Sequence, residues 1–218
     1  FYNEEAIYYK NNGAYKKAIE IGKKAYEICV KEKLKGEDRA KTNQNLGNFY
    51  LQNRDFEKAE NKLEQAYKSS QKLYGDKHIV LADINNHIGK IHFEKRDFSE
   101  ALQYYTEAKE LLESIQAKES SEMAEVYMSF GGWYGNKGNT IGANDDYKDA
   151  IELLKGIYGP GNAHLIAPYR KLAQVYYRHK TVVAMDYIDT ALRISNQELP
   201  PDHVSTAWCY ATKAKILV

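Results

Sequence analysis

The chain has 218 residues, 43% of them hydrophobic, and its 31 basic and 30 acidic side chains leave a formal net charge of +1. Such a balance lacks the basic excess with which proteins bind nucleic acid or anionic membranes, so we expect neither partner. No apolar run approaches the roughly 20 residues that a membrane-spanning helix needs. The two cysteines, Cys29 and Cys209, are too few for a disulfide framework and favour a reducing, cytoplasmic compartment.

Apolar residues spaced three and four apart predict a succession of amphipathic helices along the whole chain. The segments between alternate helices are so short that consecutive helices must form antiparallel hairpins. Neither helix of a hairpin can bury its apolar stripe alone, so each hairpin needs neighbours. The predicted repeats are residues 1–34, 35–75, 76–118, 119–160 and 161–198, followed by a last helix at 202–218.

The third repeat illustrates the unit. Its first helix is predicted from about His78 to Glu94, and its second helix begins near Phe98. Between them Asp97 is a good N-cap, and Glu100 three residues later completes a capping box. An aspartate at the corresponding place in the second repeat, Asp55, predicts the same kind of cap there.

Small residues recur along the chain with a fixed period. Shifts of 42 residues place glycine on glycine and alanine on alanine in the second, third and fourth repeats, a pattern typical of a solenoid. Small side chains at these positions allow two helices to cross closely. The matching sets are Gly47, Gly89 and Gly131; Ala59, Ala101 and Ala143; and Ala66, Ala108 and Ala150.

The pattern of Leu46, Gly47, Tyr50 and Ala59 resembles the tetratricopeptide repeat, and the period of about 42 residues resembles its longer, kinesin-light-chain type. His78, His164 and His203 stand where that type usually carries His-Pro, although proline follows none of the three. The resemblance implies an all-α fold, a right-handed superhelical solenoid of about five antiparallel hairpins plus a final helix. We expect one solenoid over residues 1–218, a fragment of a longer protein.

Catalytic chemistry is not indicated. His87 and His92 lie five residues apart on different faces of one helix, a poor pair for a metal, and His92 is expected in the core. The glycine-rich run from Phe130 to Gly142 lacks both the consecutive Lys-Ser/Thr pair and the preceding strand of a phosphate loop. We therefore expect no enzyme activity, no cofactor and no metal.

The resemblance instead implies a partner-binding groove lined by the first helix of each hairpin. Asparagine side chains there can pair with an extended backbone, and the fourth repeat leaves a recess flanked by Tyr177, with Trp208 as a second candidate. A cationic cluster beside the recess suits an acidic ligand or a C-terminal carboxylate. The predicted groove residues are Asn45, Asn48, Asn86, His87, Lys90, Phe93, Ser129, Gly132, Arg170, Lys171, Gln174, Tyr177 and Arg178.

These features predict a protein-interaction scaffold that binds a protein or peptide, such as an adaptor or sensor segment of a larger signalling or effector protein. Two alternatives stay open. One is a regulator that senses a short peptide, as in bacterial pheromone receptors with similar repeats. The other is a regulatory array attached to an enzyme such as a caspase-like protease or a kinase. A further interpretation treats the groove residues as ordinary solvated positions.

Overall fold

The computed structural model describes residues 2–34, 36–178 and 180–218, and these contain eleven α-helices with no β-strand. The helices divide into two compact units, the N-terminal unit over residues 1–116 and the C-terminal unit over residues 117–218. The predicted all-α class is confirmed, and the prediction of one solenoid over the whole chain stays a prediction. None of the described helices is long and apolar enough to cross a membrane.

The N-terminal unit consists of three antiparallel hairpins, α1/α2, α3/α4 and α5/α6. The second helix of each hairpin also packs on the first helix of the next, so α2 contacts α3 and α4 contacts α5. Burial therefore continues from one hairpin to the next, as expected for stacked repeats. The helices are α1 (Tyr2–Asn11), α2 (Tyr15–Lys31), α3 (Glu37–Gln52), α4 (Phe56–Tyr74), α5 (Ile79–Lys95) and α6 (Phe98–Ser114).

The C-terminal unit contains two hairpins, α7/α8 and α9/α10, and a last helix, α11, that packs on α10 and α9. The glycine-rich run does not interrupt α7, which remains helical through Gly131, Gly132 and Gly135. A short 3-10 helix at Ala163–Leu165 leads into α9. The helices are α7 (Ser121–Asn136), α8 (Thr140–Tyr158), α9 (Ile166–Tyr176), α10 (Thr181–Glu198) and α11 (Val204–Ile216).

The recurring small residues lie where the two helices of a hairpin cross. A Cβ atom on Gly89 would lie 2.6 Å from Cε1 of Tyr105, and one on Gly131 would lie 2.6 Å from Cε1 of Tyr147. Real Cβ atoms do not approach so closely, so no larger side chain fits without movement. The predicted reason for the repeat pattern is confirmed, and the six recurring alanines have no exposed surface: Ala59, Ala66, Ala101, Ala108, Ala143 and Ala150.

The capping box predicted at Asp97 and the side-chain cap predicted at Asp55 do not form. Asp97 and Asp55 do stand at the N-cap positions of α6 and α4, but neither carboxylate accepts a hydrogen bond from the helix. In each case the preceding arginine has a left-handed backbone conformation, with φ of 63° at Arg54 and 69° at Arg96. The following aspartate then has ψ near 70°, outside the extended region typical of an N-cap, and Asp55 instead pairs with Lys58 at 2.7 Å.

The histidines between repeats have a structural role. The ring of His78 stacks on Tyr74 with centroids 4.1 Å apart, and His164 stacks on Tyr158 at 4.4 Å. Nδ1 of His78 also accepts a hydrogen bond from the Val80 amide at 3.3 Å, so the histidine is the N-cap of α5. The imidazole thus satisfies an amide of the first turn that would otherwise lack a partner.

Replacement of His78 by alanine should lower the free energy of unfolding by about 1 kcal/mol, because the first turn of α5 loses its cap. His78→Asn is the matched control, since asparagine is a strong N-cap but cannot stack on Tyr74 in the same way. Urea denaturation of the three proteins measures both contributions. An equal loss of unfolding free energy in the two variants would mean that the ring stack, and not the cap, provides the stability.

Candidate partner-binding surfaces

In the N-terminal unit the first helices α3 and α5 are joined by a polar network around Asp83. Nε2 of Gln44 donates to Oδ2 of Asp83 at 2.6 Å, across the two helices. Nδ1 of His87 lies 2.8 Å from the Asp83 carbonyl oxygen and 3.3 Å from Oδ1. Burial alone would raise the pKa of Asp83, but His87, Lys90 and the Gln44 hydrogen bond hold it below its ordinary value.

Three of the predicted groove asparagines lie beside this network. Asn45 and Asn48 on α3 are half-buried, whereas Asn86 on α5 is only 1% exposed and therefore belongs to the interior. Nδ2 of Asn45, Oδ1 of Asn48 and both amide atoms of Asn86 have no hydrogen-bond partner within the described protein. Buried polar atoms normally have partners, so these amides retain unused hydrogen-bonding capacity.

The remaining predicted residues of this unit are half-buried. Phe93 packs edge-on against Phe98 with centroids 5.6 Å apart. Lys90 lies one turn after Asn86 and contributes to the low pKa of Asp83. The structure therefore brings His87 and Lys90 together around a carboxylate that the prediction did not include. Asp83 was missed because only the packing of α3 on α5 shows that Gln44 reaches it.

The C-terminal unit holds a pocket of about 490 Å³, here named the Tyr177 pocket, between α7, α8 and α9. It is the recess that the glycines predict, because Gly132 and Gly135 present no side chain to it. Cationic and amide side chains from α9 lie opposite the glycines, and none of the described residues that line it is acidic. The lining residues are Gly132, Gly135, Asn136, Gly138, Thr140, Tyr147, Lys171, Gln174, Val175, Tyr177 and Arg178.

Tyr147 of α8 is one of the lining residues that the sequence prediction missed. A Cβ atom on Gly132 would lie 3.7 Å from the Tyr147 hydroxyl, so the missing side chain opens the pocket to that oxygen. Burial raises the pKa of Tyr147, which keeps the phenol neutral and able to donate a hydrogen bond. The repeat pattern could have indicated Tyr147, because Gly131 contacts its ring and Gly89 contacts Tyr105 at the same separation in sequence.

The predicted cationic cluster is divided between two places. Lys171 and Arg178 line the Tyr177 pocket, but Arg170 lines a smaller pocket of about 240 Å³ with Trp208. The Arg170 guanidinium lies 5.6 Å from the Trp208 ring centroid, and burial lowers its pKa. Trp208 therefore does not flank the glycine recess, and the prediction that groups it with Tyr177 is wrong.

Four further predicted residues have defined contacts. Gln174 lines both pockets and donates to Thr212 at 3.4 Å. The Tyr177 hydroxyl accepts from Nε of Arg178 at 2.6 Å, and the guanidinium lies over the same ring at 5.3 Å. Ser129 is 7% exposed and donates to the Glu125 carbonyl, so it faces its own helix and not a pocket.

The sequence profile of the tetratricopeptide repeat matches residues 38–114, which span α3 to α6. The match covers the crossings at Gly47 and Gly89, the positions that carry the resemblance. Residues 38–114 therefore consist of tetratricopeptide repeats. No curated protein matches the whole sequence significantly.

Solved tetratricopeptide-like structures share the fold at low sequence identity. BtubC from P. vanneervenii is 16% identical with a TM-score of 0.66, over 95% of this chain and 85% of BtubC. A Podosopora anserina protein of the kinesin-light-chain kind, with nearly identical TPR-like repeats, is 16% identical with a TM-score of 0.58, over 90% and 94%. A Rap protein complexed with Competence and Sporulation Factor is 17% identical with a TM-score of 0.64, over 97% of this chain and 61% of Rap.

Proposed function

We propose that this tetratricopeptide repeat chain is a protein-interaction scaffold, without enzymatic activity of its own, that binds a carboxylate-bearing segment of a partner in the Tyr177 pocket. The observation that carries the proposal is the composition of that pocket. Two cations, a neutral phenol and two side-chain amides converge on a space kept open by glycines, with no carboxylate among the lining residues that the structure describes. Charge-assisted hydrogen bonds to a carboxylate are the strongest contacts that such a set can make.

The amides of the N-terminal unit support the same function. Asn45 and Asn48 are half-buried on a first helix, so part of each side chain reaches solvent, although the amide atom without a protein partner is itself buried in each. A side-chain amide can pair with both the donor and the acceptor of a peptide backbone, which favours an extended segment of little sequence preference. We infer two separate sites: this surface of the N-terminal unit binds extended backbone, and the Tyr177 pocket of the C-terminal unit selects for negative charge.

A sensor that responds to a bound factor is the second candidate. The structural similarity to a Rap protein complexed with Competence and Sporulation Factor favours it, although that protein extends well beyond the aligned region. A regulatory array attached to an enzyme would use the same pocket to bind a partner segment. The two buried cysteines, Cys29 and Cys209, suit the cytoplasmic setting in which such proteins act.

Selection from a library of short peptides tests the proposal. We expect the selected peptides to carry a carboxylate at a fixed position, and Lys171→Glu with Arg178→Glu to weaken their binding about a hundredfold, since two charge-assisted contacts are lost. Peptides with a free or an amidated C-terminus distinguish a terminal carboxylate from an acidic side chain. The selected sequence can then be sought in partners captured from a lysate.

Lys148→Glu with Arg193→Glu is the matched control. Both residues are exposed in the C-terminal unit, neither lines the pocket, and the change in net charge is the same. The control should bind as the unmodified chain does. An equal loss of peptide affinity in both variants would contradict the proposal. Selected peptides without a common carboxylate would also contradict it.

A further inference from the structure

A pocket of about 900 Å³ in the N-terminal unit lies among α2, α3 and α4, apart from the predicted groove residues. Three basic side chains line it, Arg39 from α3 and Lys68 and Lys72 from α4. None of the described residues that line it is acidic. The pocket is therefore strongly cationic although the chain as a whole carries almost no net charge.

The three cations are open to solvent. Arg39, Lys68 and Lys72 are exposed, and within the described ranges none of them forms an ion pair. Lys68 and Lys72 stand four residues apart on α4, a spacing at which like charges repel and destabilise a helix. A bound anion would offset this repulsion.

The walls of this pocket add polar and apolar groups. Gln65 and Ser69 lie on the same face of α4 as the two lysines, and Tyr26 of α2 and Leu73 provide apolar surface. A fourth cation approaches from Lys62, whose ammonium lies 3.6 Å from the Tyr26 ring centroid. The pocket thus offers several hydrogen-bond donors in a space large enough for more than a single small anion.

We propose that this cationic pocket binds a phosphate chain, a di- or triphosphate group. A phosphate chain carries more charge and more acceptor oxygens than a carboxylate, and arginine with lysines is the set that proteins use for it. A volume of about 900 Å³ falls in the range of small-molecule sites. Two ligands carry such a phosphate chain: a nucleotide, whose base would lie against Tyr26 and Leu73, and inorganic polyphosphate.

Calorimetric titration with inorganic tripolyphosphate, ATP and inorganic phosphate tests the proposal. We expect tripolyphosphate to bind more tightly than phosphate, with an affinity that falls as salt concentration rises. The variant Arg39→Gln/Lys68→Gln/Lys72→Gln should lose tenfold or more of that affinity, since even one contact to a charged group is worth about tenfold. Tighter binding of ATP than of tripolyphosphate would identify a nucleotide, and equal binding would identify the phosphate chain alone.

The control variant is Lys16→Gln/Lys23→Gln/Lys41→Gln, which removes the same charge from exposed residues of the same unit outside the pocket. It should bind tripolyphosphate as the unmodified chain does. The proposal is overturned if both variants lose affinity equally, if the pocket variant keeps its affinity, or if an acidic peptide of equal charge binds as tightly as tripolyphosphate. Unchanged urea denaturation of the pocket variant ensures that a loss of affinity reflects the pocket and not unfolding.

Discussion

Replacement of Gly131 by alanine should destabilise the protein, whereas the same replacement at Gly132, the next residue, should stabilise it. A Cβ at Gly131 would lie 2.6 Å from the ring of Tyr147, which is only 3% exposed and has little room to move. Overpacking of this kind costs about 1–3 kcal/mol and exceeds the gain of up to about 1 kcal/mol from helix propensity.

At Gly132 the new Cβ would lie 3.7 Å from the Tyr147 hydroxyl, an ordinary van der Waals contact. Only the propensity gain of up to about 1 kcal/mol then remains, and the free energy of unfolding should rise. Thermal and urea denaturation of the two variants measure the opposite signs. Stabilisation by both substitutions would show that α7 and α8 can move apart without cost, contrary to the close crossing described above.

Removal of the Asp83 carboxylate should lower the free energy of unfolding by about 2–3 kcal/mol. Asp83→Ala leaves Gln44 and His87 without their shared partner, and breaking a buried pair by removing one member is costly. We expect less than for a fully buried pair because the Asp83 side chain is 24% exposed. Urea denaturation near neutral pH measures the loss.

Asp83→Asn separates the charge of this side chain from its shape. Because the pKa of Asp83 is lowered in the folded protein, the carboxylate adds stability above its unfolded pKa of about 3.9, and this is lost as pH falls through the folded pKa. The difference in the free energy of unfolding between the unmodified chain and Asp83→Asn should therefore be largest near pH 6 and should shrink below about pH 4. A difference that does not change with pH would exclude the charge as its source.

The repeat architecture could be predicted because its cause lies in single positions. A close helix crossing admits only small side chains, so Gly47 and Gly89 mark the crossings whatever surrounds them. The glycine recess could be predicted for a related reason, since a missing side chain leaves space in any packing. Both inferences need only the local sequence and the helical period.

Contacts between helices could not be predicted in the same way. Arg170 and Lys171 are adjacent in sequence, but consecutive residues of a helix project about 100° apart, and only the packing of α11 shows that Arg170 turns toward Trp208. The prediction of aspartate caps failed because the preceding residues, Arg54 and Arg96, have a left-handed backbone conformation. An arginine in the sequence does not indicate this conformation.

Each unit encloses one thiol of its own. Cys29 is 6% exposed in α2 of the N-terminal unit, and Cys209 is fully buried in α11 of the C-terminal unit. A thiol reagent reaches a buried cysteine only when the surrounding helices open, so the modification rate at each site follows the local opening equilibrium of its own unit. In variants with one cysteine replaced by serine at a time, the modification rate of the remaining thiol measures how readily its own unit opens.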